Sequence, residues 1–175
     1  MPISTRLRSR LGTFFAAACL AVLSLPAVHA QDSSLALPER RALKQYQDTK
    51  FPDLQKNIKA AAGFDLPLEV KWEAIAKPGQ SASYQEDGFW TDIYFNPLTK
   101  ALKQITADAM GANALKDKLK KVVVTFDKDT APASNYAKGL SFEGGTLTIN
   151  FEPYSNSSDV DDRAKAIKDT LEAKL

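Results

Sequence analysis

Thiol and imidazole groups are almost missing from this chain of 175 residues, which has one cysteine and one histidine. Both Cys19 and His29 lie in the first thirty residues, a segment with the features of a cleaved signal peptide. The remaining chain would then have no disulfide, no Ser-His-Asp or Cys-His nucleophile, and no histidine ligand for zinc, copper or haem. Any catalysis would have to use carboxyl, amine or hydroxyl groups.

Nucleotide-binding motifs and an excess of basic charge are missing as well. The sequence has neither a Walker loop nor a Gly-x-Gly-x-x-Gly motif after a predicted strand, and we expect no cofactor. Three of its 23 basic residues lie in the leader, so 20 remain against 21 acidic residues, a formal charge of −1. Bulk charge therefore gives no support to binding of nucleic acid or of anionic membranes.

The segment 1–30 is predicted to be a signal peptide. Three arginines between residues 6 and 10 precede an apolar stretch, 11–26, and Val28-His29-Ala30 has small residues at the two positions that signal peptidase requires. Cleavage is therefore expected before Gln31. The apolar stretch is shorter than the roughly 18–20 residues that span a bilayer, and no other such run follows. A lipid anchor on Cys19 is the less favoured alternative, and the short arginine leader is typical of bacterial export to the periplasm.

The rest of the chain has the length of one domain, 38–175, preceded by a loose end at 31–37. Its element pattern predicts an α+β fold, in which an antiparallel sheet of about four strands forms a β-meander with helices packed on one face. Pro52 leaves open whether 38–62 is one kinked helix or two. The main predicted elements are helices over 38–62, 96–111 and 158–174, and strands over 67–73, 121–128, 140–143 and 146–151.

A hairpin near the C-terminus is the clearest local feature. Gly144-Gly145 separates two alternating runs, and a two-residue turn of type I′ or II′ needs residues that tolerate a positive φ. The turn then fixes the register, and the apolar residues fall on one face of the hairpin. The predicted pairs are Glu143 with Thr146, Phe142 with Leu147, Ser141 with Thr148, and Leu140 with Ile149.

An acidic segment before the last helix is a candidate calcium site. Asp159, Asp161 and Asp162 could supply oxygen ligands, together with Asn156 and Ser158. The spacing does not fit an EF-hand, because no glycine sits at its turn and no glutamate closes the loop. An acidic first turn also stabilises its helix without a metal, which is the favoured interpretation, with Ser158 as the cap.

Four glutamates on the predicted strands are candidates for a pair of catalytic carboxylates, as in a glycosidase. Such a pair needs a cleft and one acid with a raised pKa. Alternating glutamates are more often the solvated face of a sheet. The four residues are Glu69, Glu73, Glu143 and Glu152.

Aromatic residues are concentrated beside the longest predicted loop, 76–88. Tyr84, Phe89, Trp90 and Tyr94 lie close together with Phe95, and part of this set is expected to fill the core. The residues from 89 to 95 are consecutive, and seven consecutive side chains do not all point inward from a strand or from one helical face. We therefore expect at least one large ring in this stretch to be partly exposed. Exposed Trp90 and Tyr94 would form a recognition surface for a protein, a peptide or an apolar small ligand.

Three functions are compatible with these features. The first and favoured one is a periplasmic, non-catalytic binding or interaction module that uses the aromatic stretch. The second is a hydrolase that depends on carboxylates alone. The third is a structural or accessory protein of the cell envelope. A cleft lined by two or more carboxylates, at least one of them buried with a raised pKa, would favour the enzyme, whereas an open hydrophobic patch without convergent acids would favour binding.

Overall fold

The computed structural model describes residues 35–175. The predicted signal peptide and its cleavage site before Gln31 lie outside the described residues and stay predictions. Only the last three residues of the predicted loose end, 35–37, are described. Leu35 packs in the core with 4% of its surface exposed, and Leu37 begins the first helix.

Residues 35–175 form helices and one sheet, with shorter helical turns in the connections. Two 3₁₀ turns, Ser81–Gln85 and Tyr136–Gly139, and one π-helical turn, Thr91–Phe95, lie between the main elements. The helices are α1 (Leu37–Thr49), α2 (Phe51–Ala62), α3 (Trp72–Ile75), α4 (Asn96–Ile105), α5 (Ala109–Lys118) and α6 (Val160–Glu172). The strands are β1 (Leu68–Val70), β2 (Lys121–Thr125), β3 (Leu140–Glu143) and β4 (Thr146–Asn150).

Prolines and a glycine set the bounds of the first two helices. Pro38 lies in the first turn of α1 and Pro52 in that of α2, where a missing N–H costs no helical hydrogen bond. Lys50 is the only residue between the helices; its backbone is helical, and its N–H donates to a carbonyl of α1. Gly63 ends α2 with a φ of 78°. This region is therefore two helices joined through one helical residue.

The sheet is mixed, with the strand order β1-β2-β4-β3. Both β1 and β4 are parallel to β2, and only β3 and β4 are antiparallel. The α+β class is confirmed, but the predicted antiparallel meander is wrong. A meander requires consecutive strands to be neighbours. The connection 126–139 is long enough to carry the chain past the sheet, so that β3 becomes an edge and β4 returns beside β2.

The hairpin is confirmed, with all four of its predicted residue pairs. Gly144 and Gly145 have φ values of 55° and 77°, the left-handed conformation that a type I′ turn needs. A side chain at Gly145 would also lie 2.9 Å from the carbonyl oxygen of Lys118. Turn chemistry and hydrophobic alternation therefore determine this register together.

Side chains alternate between a buried and a partly exposed face of the sheet. Val122, Val124, Leu147 and Ile149 are fully buried, whereas the residues between them are partly exposed. The predicted strand 67–73 is shorter than expected, because the chain leaves the sheet after Val70 and turns into α3. Its last apolar residue, Trp72, packs with the aromatic rings of the core instead.

The helix predicted from Asn96 continues directly from the π-helical turn at Thr91. Asn96 has helical backbone angles, and the predicted helix 96–111 is divided, since α4 ends at Ile105 and α5 begins at Ala109. The predicted cap Ser158 is not the cap of α6, since Asp159 occupies that position. No helix within residues 35–175 combines the length and the apolar character needed to cross a membrane.

Candidate functional site

The aromatic stretch proposed from the sequence as a recognition surface is part of the core. Tyr84, Phe89, Trp90 and Tyr94 each have 0% of their surface exposed, and so has Phe95. The expectation that a large ring is exposed here is wrong. The turn that carries Tyr94 and Phe95 is covered from several sides, because α2, α4 and α6 all contact residues 91–95. A helical segment in this position buries nearly every side chain and not one face only.

The polar edges of three of these rings are also bound within the protein. The indole N–H of Trp90 donates to the carbonyl of Ile75 at 3.0 Å, and the Tyr94 hydroxyl donates to the carbonyl of Phe151 at 2.6 Å. The Tyr84 hydroxyl donates to the carbonyl of Lys77 at 2.8 Å. These bonds satisfy the groups that burial removes from water, and leave the rings no free donor for a partner.

Burial also keeps the tyrosine hydroxyls neutral. It raises the pKa of Tyr94 well above its usual value, because a phenolate would lose its hydration in the core. Burial, with the negative charge of Glu39 as a smaller cause, raises the pKa of Tyr84 to about 12. These hydroxyls therefore act as structural donors at neutral pH.

The acidic residues proposed as a calcium site point to different partners. Asp159 accepts a hydrogen bond from the Tyr136 hydroxyl at 2.8 Å, and Asp161 pairs with Lys100 of α4 at 2.5 Å. Asp162 lies in the first turn of α6. No group of three acidic residues that could hold a metal ion is found within residues 35–175. The calcium interpretation therefore has no geometric support.

The four strand glutamates separate into three places. Glu69 lies on the open face of the sheet between Lys71 and Lys121, whose hydrogen bonds and charges lower its pKa. Glu143 lies beside the hairpin turn and is exposed. Only Glu73 and Glu152 line a common cleft.

That cleft, which we call the carboxyl-edge cleft, lies where the three mutually parallel strands end. Residues 73–80 follow β1, residues 126–129 follow β2, and Glu152 follows β4. Parallel strands end at the same edge of a sheet, and open α/β sheets bind ligands outside these carboxyl ends. The cleft has a volume of about 670 Å³, and its main side chains are Glu73, Lys77, Gln80, Phe126, Asp127, Lys128, Asp129 and Glu152.

Lys77 organises the inner wall of the cleft. Its ammonium group donates to the Glu152 carboxylate at 2.8 Å and lies 6.0 Å from the centre of the Phe126 ring. Its backbone carbonyl accepts the Tyr84 hydroxyl, which ties the wall to the aromatic core. The Lys77 charge is therefore already used within the protein.

The charge of the cleft is negative. Four carboxylates and two lysines line the cleft, so its formal charge is −2. One of the two lysines, Lys77, is paired with Glu152. Glu73, Asp127 and Asp129 are exposed, and Glu152 is partly exposed. A carboxylate general acid needs a buried, apolar environment, which none of these four residues has. The arrangement is suited to attracting a positively charged group rather than to proton transfer.

The loop after Glu152 is held in a strained conformation beside the cleft. Tyr154 and Asn156 have positive φ values of 61° and 47°, which cost energy for residues other than glycine. The buried guanidinium of Arg163 compensates, donating to the carbonyls of Ser155 at 2.5 Å and Asn156 at 2.8 Å. This contact rigidifies the chain just beyond Glu152.

Most of the cleft residues are not candidates in the sequence. Lys77 and Gln80 belong to one segment and Phe126 and Asp127 to another, and no spacing connects the two segments. The signal that could have found them is that each follows a strand. That signal becomes useful only when the strands are known to be parallel.

Comparison with known proteins gives no relative from which a role could be transferred. No protein-family model, no curated protein and no solved structure matches this chain. The site geometry is therefore the basis of the functional argument.

Proposed function

We propose that this protein is a non-catalytic binding module that holds a small, positively charged ligand, such as a short basic peptide, in the carboxyl-edge cleft. The observation that carries the proposal is a cleft of about 670 Å³ at the ends of three parallel strands, with an excess of exposed carboxylates over lysines. A cleft of this volume lies in the range of small-molecule sites. The absence of a buried acid among its lining residues favours binding over carboxylate-dependent hydrolysis.

A charge-matched pair of peptides tests this proposal. Acetylated, amidated Gly-Lys-Gly-Lys-Gly and Gly-Glu-Gly-Glu-Gly are titrated calorimetrically into the protein at low ionic strength. The lysine peptide should bind and the glutamate peptide should not, and added salt should weaken binding because surface charges are screened. Equal binding of both peptides, or binding of neither, would contradict the proposal.

A double variant locates the binding. Glu73→Gln with Asp129→Asn removes two charges from the cleft and should weaken the lysine peptide by about fivefold or more. The control, Asp65→Asn with Asp117→Asn, removes two highly exposed carboxylates elsewhere on the surface. Equal weakening by the two double variants would show that net charge, and not the cleft, determines binding.

The place of action belongs to the same proposal. The leader supports export to the periplasm with cleavage before Gln31, so the native product should begin at Gln31. Mass spectrometry of the protein from its native envelope checks this directly. A product that retains Cys19 would contradict it.

A further inference from the structure

The two edges of the sheet differ in what lies against them. The strand order places β1 at one edge and β3 at the other. Helix α6 contacts β3, whereas within residues 35–175 the only helix or strand in extensive contact with β1 is its sheet neighbour β2. All three residues of β1 are partly exposed. The sheet therefore has its less covered edge at β1.

The outer side of β1 carries backbone groups that the sheet does not use. The carbonyl of Pro67 accepts an N–H from β2 at 2.9 Å, and the N–H of Lys71 donates to a carbonyl of β2 at 2.9 Å. Alternate residues of a strand direct their N–H and C=O groups to opposite sides, so those of Leu68 and Val70 point away from β2. No backbone hydrogen bond within residues 35–175 satisfies these four groups.

The side chains at this edge favour an apolar neighbour. Leu68 and Val70 are in register with the buried Val122 and Val124, and they pack against the core while staying partly exposed. A strand added beside β1 covers this exposed surface with its own alternate side chains. Glu69 lies on the opposite face and is already paired with two lysines. The edge therefore suits a strand with apolar residues at every second position.

The β1 edge continues into the carboxyl-edge cleft. Glu73, which lines the cleft, follows Val70 by only three residues. A strand beside β1 ends at the same edge of the sheet as β1, β2 and β4, so one of its ends lies at the cleft. Because the cleft has a formal charge of −2, a lysine at that end complements it.

We propose that the ligand of the carboxyl-edge cleft is an extended peptide that pairs with β1 as a fifth strand of the sheet. It has a lysine at its cleft end and apolar residues at alternate positions. This inference rests on the proposed binding function, and it adds the conformation and the sequence pattern of the ligand. The backbone groups of Leu68 and Val70 bind the peptide backbone, and the cleft selects its charged end.

Backbone methylation of one peptide tests the pairing. The parent is acetylated, amidated Lys-Val-Thr-Val-Lys, which has a lysine for the cleft in either strand direction. One derivative is methylated on the amide nitrogens of both valines, and the other on those of the threonine and the last lysine. Only one edge of an added strand pairs with β1. In calorimetry one derivative should therefore bind at least about tenfold more weakly than the parent, and the other within about threefold of it.

Val70→Pro is the matching change in the protein. It removes an N–H that points away from β2, and proline is tolerated at such positions of an edge strand. We expect the parent peptide to bind this variant at least about tenfold more weakly. Val70→Ala is the matched control, because it shortens the same side chain and keeps the N–H, and it should change the affinity by less than about threefold. Equal weakening by the two variants would overturn the backbone pairing.

The outcomes separate this inference from the function on which it rests. If the parent peptide binds and the two methylated derivatives are weakened equally or not at all, the strand pairing is refuted while binding in the cleft stands. If neither the parent nor Gly-Lys-Gly-Lys-Gly binds, the binding function itself is refuted. If circular dichroism shows that Val70→Pro does not fold, the methylated peptides decide the question on the unmodified protein.

Discussion

The aromatic cluster and the carboxyl-edge cleft differ in how completely each satisfies its own polar groups. Trp90 and Tyr94 are fully buried, and the donor of each ring bonds to a backbone carbonyl. The cleft has the opposite character, with exposed carboxylates that outnumber its lysines. A region that satisfies itself contributes to stability, whereas a region with unused charge and acceptors is available for a ligand. Aromatic content alone therefore did not locate the site.

This comparison predicts that the aromatic cluster carries the largest stability effect. Trp90→Ala should lower the free energy of unfolding by about 3–5 kcal/mol, since it leaves a large cavity and an unpaired carbonyl at Ile75. Urea denaturation followed by circular dichroism measures the loss. Met110→Ala is the control, because that side chain is 81% exposed and should cost less than about 0.5 kcal/mol. Similar losses for the two variants would show that Trp90 is not a core residue.

The next largest loss in the free energy of unfolding is expected in the loop that follows Glu152. Arg163→Met removes the donors that hold the carbonyls of Ser155 and Asn156, and should cost about 3 kcal/mol. Hydrogen exchange of the Tyr154 and Asp159 amides, which bond to the carbonyls of Phe89 and Asn156, should become faster at the same time, because the strained backbone loses its support. Lys165→Met, on the exposed side of α6, is the control. Unchanged exchange in the loop would refute the role given to Arg163.

A smaller contribution to the free energy of unfolding, one that depends on pH, is expected from the buried hydroxyl of Tyr84. Its pKa is about 12 in the folded protein, above the ordinary value of about 10 for a tyrosine in an unfolded chain. The fold therefore favours the neutral phenol. Its contribution is complete below about pH 10 and is lost as the pH rises towards 12.

Tyr84→Phe isolates this contribution. The variant should lose less stability than the unmodified protein between pH 9 and about pH 11, measured as the shift of the urea midpoint. Parallel pH profiles for the two proteins would contradict the assignment.

The smallest stability effect is expected in the cleft. Glu73→Gln with Asp129→Asn should change the free energy of unfolding by less than about 0.5 kcal/mol, since both residues are exposed. The same variant should still weaken the lysine peptide. A stability loss comparable to that of Trp90→Ala would show that these carboxylates are structural, and would remove the contrast between the two regions.

The fold could be predicted where local chemistry determines the outcome. The Gly144-Gly145 turn and the alternation on either side fix the hairpin register, because a shift by one residue would expose its apolar face. The helices after Pro38 and before Gly63 follow from the same kind of local signal. The order of the strands depends on where a long connection crosses the sheet, which neighbouring residues do not specify.

The site could not be predicted for a related reason. The cleft joins residues from three segments that meet only because β1, β2 and β4 run parallel. The prediction of an exposed recognition surface in the aromatic stretch was wrong, because aromatic composition indicates a large contact area but not on how many sides the chain is covered. Burial of residues 91–95 by several helices is a tertiary effect.

The most direct test of the account is to map where the lysine peptide binds by two-dimensional ¹H–¹⁵N NMR of the labelled protein. The account predicts that the largest shift changes fall in residues 73–80, 126–129 and 152, while the indole N–H of Trp90 stays unchanged. Largest changes at Trp90 and its neighbours, with none in the cleft, would contradict it.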